Sequence, residues 1–480
     1  MDDQTILERL AAIVGPAALG TTADDLEPWL TDWRGRVTGS ALALASPGSV
    51  AEVQAIVRLA GEAGIALVPQ GGNTGMVAGG VPRPDDRAIL LSLRRMNAIR
   101  SIDPADNSLT AEAGAILSTV HAVAKKHGRR FPLSLGAKDS ATIGGLIATN
   151  AGGTQVLRFG SMRALTLGVE AVLPDGSLFE GLSTLRKDNR GYDLRQLLAG
   201  SEGTLGVITA ASLKLVPAAP HRTVAWAGLD SAEKALALLR ALEAALGDAV
   251  ESFELVPDTA LALVLQHIPN TRAPLDGPHR WHVLIELRTA TSAEDLRARS
   301  EVALAKALKD GLIVDAVLAE SEAQAADFWK LREVISEAER LDGMAAKHDV
   351  SVPVSAMPGF IESAAAAVER RFAGARVIAF GHLGDGNVHF NVRAPAGSDD
   401  EAWFAETGDA VSRFVHDLTR DAGGSLSAEH GIGQLKLAEF GRLADPVRLA
   451  ALRAIKDALD PRGIMNPGKL VPLANPAENP

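Results

Sequence analysis

The chain has 480 residues, 22% of them charged, with a formal net charge of −11. At 47% apolar content it is too hydrophobic for general disorder and too long for one ordinary core, so two or three domains are expected. The acidic balance and the lack of a basic stripe argue against a nucleic-acid partner, though not against an anionic substrate held in a pocket of opposite local charge.

There is no cysteine, which removes disulfides, zinc ribbons, iron–sulfur clusters and thiol nucleophiles. Any metal must then use histidine and carboxylate. The N-terminus, Met1-Asp2-Asp3-Gln4, is acidic and lacks a basic region followed by an apolar core. No apolar run approaches the length of a transmembrane helix. A cytoplasmic protein with no transmembrane segment is the expectation.

Residues 1–45 read as helical and then irregular. Ser49-Val50-Ala51-Glu52 is a capping-box pattern opening an amphipathic helix to about Ala63, where Gly64 stops it. A buried strand, Ile65 to Val68, runs into Pro69-Gln70-Gly71-Gly72-Asn73-Thr74-Gly75, and the next strand is Ala88 to Leu93. A nicotinamide-binding Rossmann domain needs its glycine turn to open a helix directly after a strand. Here the loop continues through Gly79-Gly80-Val81-Pro82 and no helix begins, which argues against that domain. Such a loop can cradle a pyrophosphate on successive backbone N–H groups, or be an ordinary long loop.

Two further tracts follow the strand Leu109 to Ala113 and the helix Ala115 to His127. Leu133 to Gly153 is rich in small residues, among them Ser134, Gly136, Ser140, Gly144, Gly145, Asn150 and Gly153. Gly200-Ser201-Glu202-Gly203-Thr204-Leu205-Gly206-Val207-Ile208 is the third. One glycine tract is weak evidence, but three between strands mean that the backbone closely approaches something large and flat. A large cofactor explains that better than three coincident loops do.

From about Ala219 the pattern becomes strands separated by single helices, without glycine-rich turns: Thr223 to Leu229, Val250 to Val256 and Trp281 to Leu287. This predicts an α+β substrate domain with an antiparallel sheet. Phe380 to Asn391 reads as a β-hairpin with Asp385-Gly386 as a two-residue turn. That turn would set His382 directly across from His389, with Asn391 on the same face. Two imidazoles and a carboxamide lack only an anion for a metal site, and Glu429, in Glu429-His430-Gly431-Ile432-Gly433, is the candidate. The alternative is a hairpin with two hydrogen-bonded structural histidines. Nitrogen and oxygen ligands suit Zn²⁺, Mn²⁺ or Fe²⁺. His430 could serve as general base or cap a helix. Arg332 and Ser336, at i and i+4, share a helix face in this reading, with Lys347 following. Taken alone, these three are an ordinary solvated face.

Together the motifs carry a resemblance. Pro69 to Gly75, Ile143 to Gly153, Gly200 to Ile208, the hairpin, Glu429 to Gly433 and Asn466-Pro467-Gly468-Lys469 resemble the vanillyl-alcohol-oxidase/p-cresol-methylhydroxylase superfamily. The most similar branch is that of the D-2-hydroxy-acid dehydrogenases, which act on D-2-hydroxyglutarate or D-lactate. The resemblance implies a two-part FAD-binding domain (residues 1–218), a substrate- and metal-binding domain (219–462), and a C-terminal segment (463–480) returning to the flavin. It implies FAD held by Pro69, Gly71, Gly72, Asn73, Thr74, Gly75, Ser134, Gly136, Ser140, Gly144, Gly145, Asn150, Gly153, Glu202, Gly206, Ile208 and Asn466. No histidine precedes His121, so the histidyl–flavin link of some relatives has no candidate near the first loop, and non-covalent FAD is expected. It further implies His382, His389 and Glu429 as ligands of a divalent metal, with zinc the first choice, and His430 as base. Arg332, Ser336, Lys347, Asn391 and His430 would bind the 2-hydroxy acid. An electron-transfer flavoprotein or quinone would take the electrons, and a homodimer is compatible. The expected reaction is oxidation of D-2-hydroxyglutarate or D-malate. The rivals are a D-lactate or glycolate enzyme, a non-catalytic flavin subunit of a larger oxidase, and a flavin-free metallohydrolase.

Overall fold

The computed structural model describes residues 1–472 and divides the chain into two compact units. Of the described residues, one unit comprises 1–153, 160–218 and 429–472; the other comprises 154–159 and 219–428.

The first unit is built on two larger sheets, beside a two-stranded pairing of Arg129–Arg130 with Val216–Pro217. The strands Ala43–Ala45, Ala88–Ser92 and Ala66–Gln70 lie side by side and parallel, and the short Leu19–Gly20 pairs antiparallel at one edge. Strands running parallel in one sheet need a crossover, and the helix Val50–Ala63 supplies it between the strands at 43–45 and 66–70, which flank Ala88–Ser92. Ser49 caps that helix by accepting from Glu52 N, and Gly64, at φ +60°, ends it in the left-handed region where a side chain is costly. The second sheet has five antiparallel strands in the order Ile99–Asp103, Ser108–Glu112, Val207–Lys214, Thr166–Val172, Leu178–Gly181. No helix intervenes between Gln70 and Ala88, so the first glycine loop is a loop, as its sequence indicates.

The sequence reading keeps residues 429–462 with the substrate domain and returns the chain at 463. The compact units instead return it at Glu429. The reason is local: the buried Glu202 carboxylate accepts from Ile432 N at 2.8 Å and Gly433 N at 2.7 Å. Gln434 Nε2 donates to Ala78 O and Val81 O, and Asn466 N donates to Leu67 O at 2.8 Å. The glycine-flanked stretch carries no sequence mark of the two bonds to Glu202, because its backbone makes them.

The second unit is a seven-stranded antiparallel sheet. Its order is Asp315–Leu318, His221–Leu229, Trp281–Thr289, Val250–Pro257, Arg376–His382, Asn387–Arg393, Ala345–Ser351. Alternation along the strands gives the sheet two apolar faces. One face carries Ala225, Phe253, Leu255, Ile285 and Phe390 in a core shared with residues of the helices Ala232–Leu246, Ala293–Lys309, Met357–Arg371 and Asp400–Asp421. The other carries Trp226, Val256, Leu284, Ile378 and Phe380, packed with residues of Asp258–His267, Glu322–Glu333 and Ile335–Asp342. Both faces are covered, so a polar side chain in these central strands is buried and must find a partner. This is the α+β architecture with an antiparallel sheet that the sequence indicates.

Candidate active site

The hairpin exists, but its turn is wider than the two-residue reading. Leu383 to Gly386 connect the strands, and Gly386 N returns to His382 O at 3.1 Å. Gly386 sits at φ +80°, and a Cβ there would lie 2.1 Å from Val352 O, so only glycine fits this close approach. The register therefore pairs His382 with Asn387 and His389 with Phe380. The two histidines are diagonal neighbours on one face rather than directly opposed, which still brings their ring centroids to 5.6 Å.

That face carries rows of polar residues across neighbouring strands. His389 lies beside Asp349 and Asn391 beside Lys347, while His382 lies beside Glu254 on its other side. His382 Nδ1 and Glu254 Oε1 are 2.7 Å apart, in ion-pair range. His389 Nδ1 is 4.0 Å from Asp349 Oδ1, which also accepts from Asn387 Nδ2 at 2.9 Å. Burial opposes the charge of Glu254, yet His382 and Arg332 beside it hold its carboxyl below the usual range. Asp385, in the hairpin loop, is pushed up by burial.

Arg332 and Ser336 do not share a helix face. The helix breaks at Val334 (φ −87°, ψ 4°), with Glu322–Glu333 before it and Ile335–Asp342 after. Arg332 is buried, and both Nε and Nη2 lie 2.9 Å from Glu254 Oε2, with the guanidinium 4.8 Å over the Phe380 ring. Ser336 is exposed, and its carbonyl accepts from Lys347 Nζ at 3.3 Å. Lys347 Nζ is also 3.5 Å from Glu339 Oε2, which accepts from Asn391 Nδ2 at 2.7 Å. Burial raises the Glu339 carboxyl, against the pull of Lys347 and Asn391. Asn391 is thus directed at Glu339.

Three acids, Glu254, Glu339 and Asp349, were missed by sequence reasoning. Only Glu254 carries a signal, as an acid in the apolar stretch Phe253-Glu254-Leu255; Glu339, in Glu337-Ala338-Glu339-Arg340, and Asp349, after Lys347-His348, sit among polar residues. Glu429 is the residue at which the chain leaves the second unit, and His430 follows it; the preceding Ala428 N donates to Asp349 O at 3.3 Å.

In the first unit the glycine tracts converge. A Cβ on Gly71 would lie 2.3 Å from Thr142 Oγ1, and one on Gly72 would lie 1.9 Å from Ser140 O. One on Gly153 would lie 2.0 Å from Ser134 O, and one on Gly144 2.7 Å from the Ala113 Cβ. Glu202 N donates to Ala148 O at 2.8 Å, joining the third tract to the short helix Ile143–Ala148. Asn73, Asn150, Glu202 and Asn466 all take positive φ, between 42° and 52°, where Asn is the commonest non-glycine residue and Glu is unusual. The Asn466 amide spans Gly79 O (2.9 Å) and Glu202 O (2.7 Å). Pro69 ends the strand leading into the loop as its penultimate residue. Gly72, Gly75, Gly136 and Ser140 are exposed, and Thr74 and Gly145 partly so. Gly206 (φ +158°) and Ile208 line the entry to the strand at 207–214. This is close-packed, exposed backbone of the kind an extended dinucleotide lies against.

Among the described residues, no helix is long and apolar enough to cross a membrane. Residues 41–181 match the family of FAD binding domains, and residues 218–470 match the C-terminal domain of FAD linked oxidases. A D-2-hydroxyglutarate dehydrogenase of Xanthomonas citri pv. viticola is 38% identical over 470 residues, covering 98% of this chain and 97% of that protein. The mitochondrial D-2-hydroxyglutarate dehydrogenase of Bos taurus is 38% identical over 471 residues, covering 98% of this chain and 84% of its own. Among solved structures, substrate-bound p-cresol methylhydroxylase superposes with a TM-score of 0.73 at 16% identity, covering 98% and 97% of the two chains. Alkyldihydroxyacetonephosphate synthase does so at 0.73 and 17%, covering 97% and 86%. Both likenesses concern the fold. The chain belongs to the FAD-linked oxidases, matching their FAD binding domain and their C-terminal domain, in the family of the D-2-hydroxyglutarate dehydrogenases.

Proposed function

We propose that the protein is an FAD- and metal-dependent dehydrogenase that oxidises D-2-hydroxyglutarate to 2-oxoglutarate, with D-malate as a shorter substrate. The observation that carries the metal part is the His382–His389 pair on one sheet face, with His382 Nδ1 directed at Glu254. In the neutral imidazole this bond makes Nδ1 the donor, so Nε2 carries the lone pair that a metal needs. His382, His389 and Glu429 would hold the ion, and zinc suits this donor set. When bound, FAD would supply a hydride acceptor for C2 and a divalent ion a Lewis acid for the C2 hydroxyl.

The chain's own residues do the rest. The glycine tracts of the first unit hold the cofactor without a covalent link, and the seven-stranded unit holds substrate. Arg332 and Lys347 supply positive charge to an anionic substrate. His430 accepts the C2 hydroxyl proton, an imidazole being a competent base near neutral pH. The test is a panel of 2-hydroxy acids mixed anaerobically with the purified protein. D-2-Hydroxyglutarate should bleach the flavin band and support dye reduction. A flavin that no 2-hydroxy acid reduces would reject the assignment.

A further inference from the structure

Glu254 stands in the strand Val250–Pro257, near the middle of the seven-stranded sheet, with its side chain 1% exposed. Its two oxygens are divided between two groups of the site: Oε1 faces His382 Nδ1 at 2.7 Å, and Oε2 faces Arg332 Nε and Nη2 at 2.9 Å. His382 and Arg332 keep 11% and 10% of their side chains exposed. The carboxylate therefore lies behind, and the imidazole and guanidinium lie in front of it. A buried pair of this kind is a poor device for stability alone, because desolvation offsets most of its attraction.

We propose that Glu254 is a positioning residue. One rigid carboxylate fixes the tautomer and ring plane of the metal-binding His382 and, through its other oxygen, the fork of the substrate-binding Arg332. The separation between the metal site and the substrate cation is then set by the carboxylate's own bond geometry. This inference rests on the metal and substrate roles proposed above. Sheet register reinforces it, since Glu254 is the direct cross-strand neighbour of His382. Sharing also has a consequence: neither partner can turn without releasing a bond to the same group.

The test uses the full chain loaded with FAD and carrying Glu254→Gln. The amide keeps the shape but offers one acceptor oxygen, enough for His382 or for Arg332 and not for both. Zn²⁺ affinity, read by competition with a chromophoric chelator, should fall about 10–100-fold, as when other carboxylates behind ligating histidines are removed. KM for D-2-hydroxyglutarate should rise while the FAD content stays that of wild type. Should the glutamine variant fail to fold, Glu254→Asp keeps the charge but withdraws it by one methylene, and the same loss of Zn²⁺ affinity is expected. Unchanged Zn²⁺ affinity in the folded variant overturns the proposal while leaving the metal reading intact. A wild-type protein that binds no divalent ion overturns both.

Discussion

Arg332 turns its Nε–Nη2 edge onto Glu254 Oε2, both nitrogens at 2.9 Å, and this decides how the guanidinium can meet a substrate. The Nε–Nη2 edge is already taken, so Arg332 can meet a substrate only through Nη1 and the remaining Nη2 hydrogen. A single charge-assisted bond is worth about 1.5–3 kcal/mol. If the metal and the C2 hydroxyl orient one end of the substrate, that bond serves a second, distal carboxylate.

Arg332→Lys should therefore lower kcat/KM for D-2-hydroxyglutarate roughly tenfold or more and that for D-lactate much less. Lysine is the better probe than alanine, because alanine would strand Glu254 as a buried charge and cost about 3–5 kcal/mol of folding stability. Steady-state kinetics on both substrates decide the matter. Equal losses place Arg332 on the carboxylate that the two substrates share, and the D-lactate reading then moves ahead.

Chelation should abolish reduction of the flavin by D-2-hydroxyglutarate while leaving FAD bound. The histidines stand on the seven-stranded sheet, whereas the glycine tracts belong to the other unit. His389→Ala should behave in the same way. The visible spectrum reports both quantities, and full turnover after chelation would make His382 and His389 structural.

FAD should leave the protein on acid precipitation, giving a colourless pellet and a yellow supernatant. His121 is the first histidine of the chain, beyond the Pro69 to Gly75 loop, and it is directed at Leu133 O at 2.9 Å. Colour retained in the pellet would mean a covalent bond elsewhere.

Much of this was legible in the sequence, and the failures have physical causes. The glycine tracts could be read because the demand for bare backbone is written in each residue itself. The two histidines were placed on the correct face by strand alternation. Their exact pairing was not, because turn length here depends on Gly386 fitting against Val352 O. Helical spacing ran on through Val334, where the backbone breaks and turns Ser336 outward. Glu254 lies 128 residues from His382, and register between distant strands is a tertiary property that no local pattern encodes. The return of the chain at Glu429 escaped for a similar reason, being fixed by the Glu202 carboxylate across 230 residues.

Lys469 gives a prediction in which the sign can be worked out. It is 2% exposed, and among the described residues its ammonium has no hydrogen-bond partner. Burial, the largest influence, pulls its pKa down to about 8; Asp86 and Glu202 oppose this and Arg83 adds to it. In the unfolded chain a lysine titrates near 10.4. Between these values the unfolded state binds a proton that the folded state does not, so stability rises with pH across that window. Below about 8 the folded protein bears the whole cost of a desolvated charge. A gap from 10.5 to about 8 corresponds to roughly 3 kcal/mol at most. Lys469→Met keeps most of the apolar stem and removes the charge. The FAD-free variant should therefore melt above wild type at pH 7, and the difference should shrink steadily as the pH is raised towards 10. Melting curves of the two proteins across that range are the measurement. A variant that melts below wild type at pH 7, or one whose advantage ignores pH, would show that the buried ammonium is not a cost to the fold.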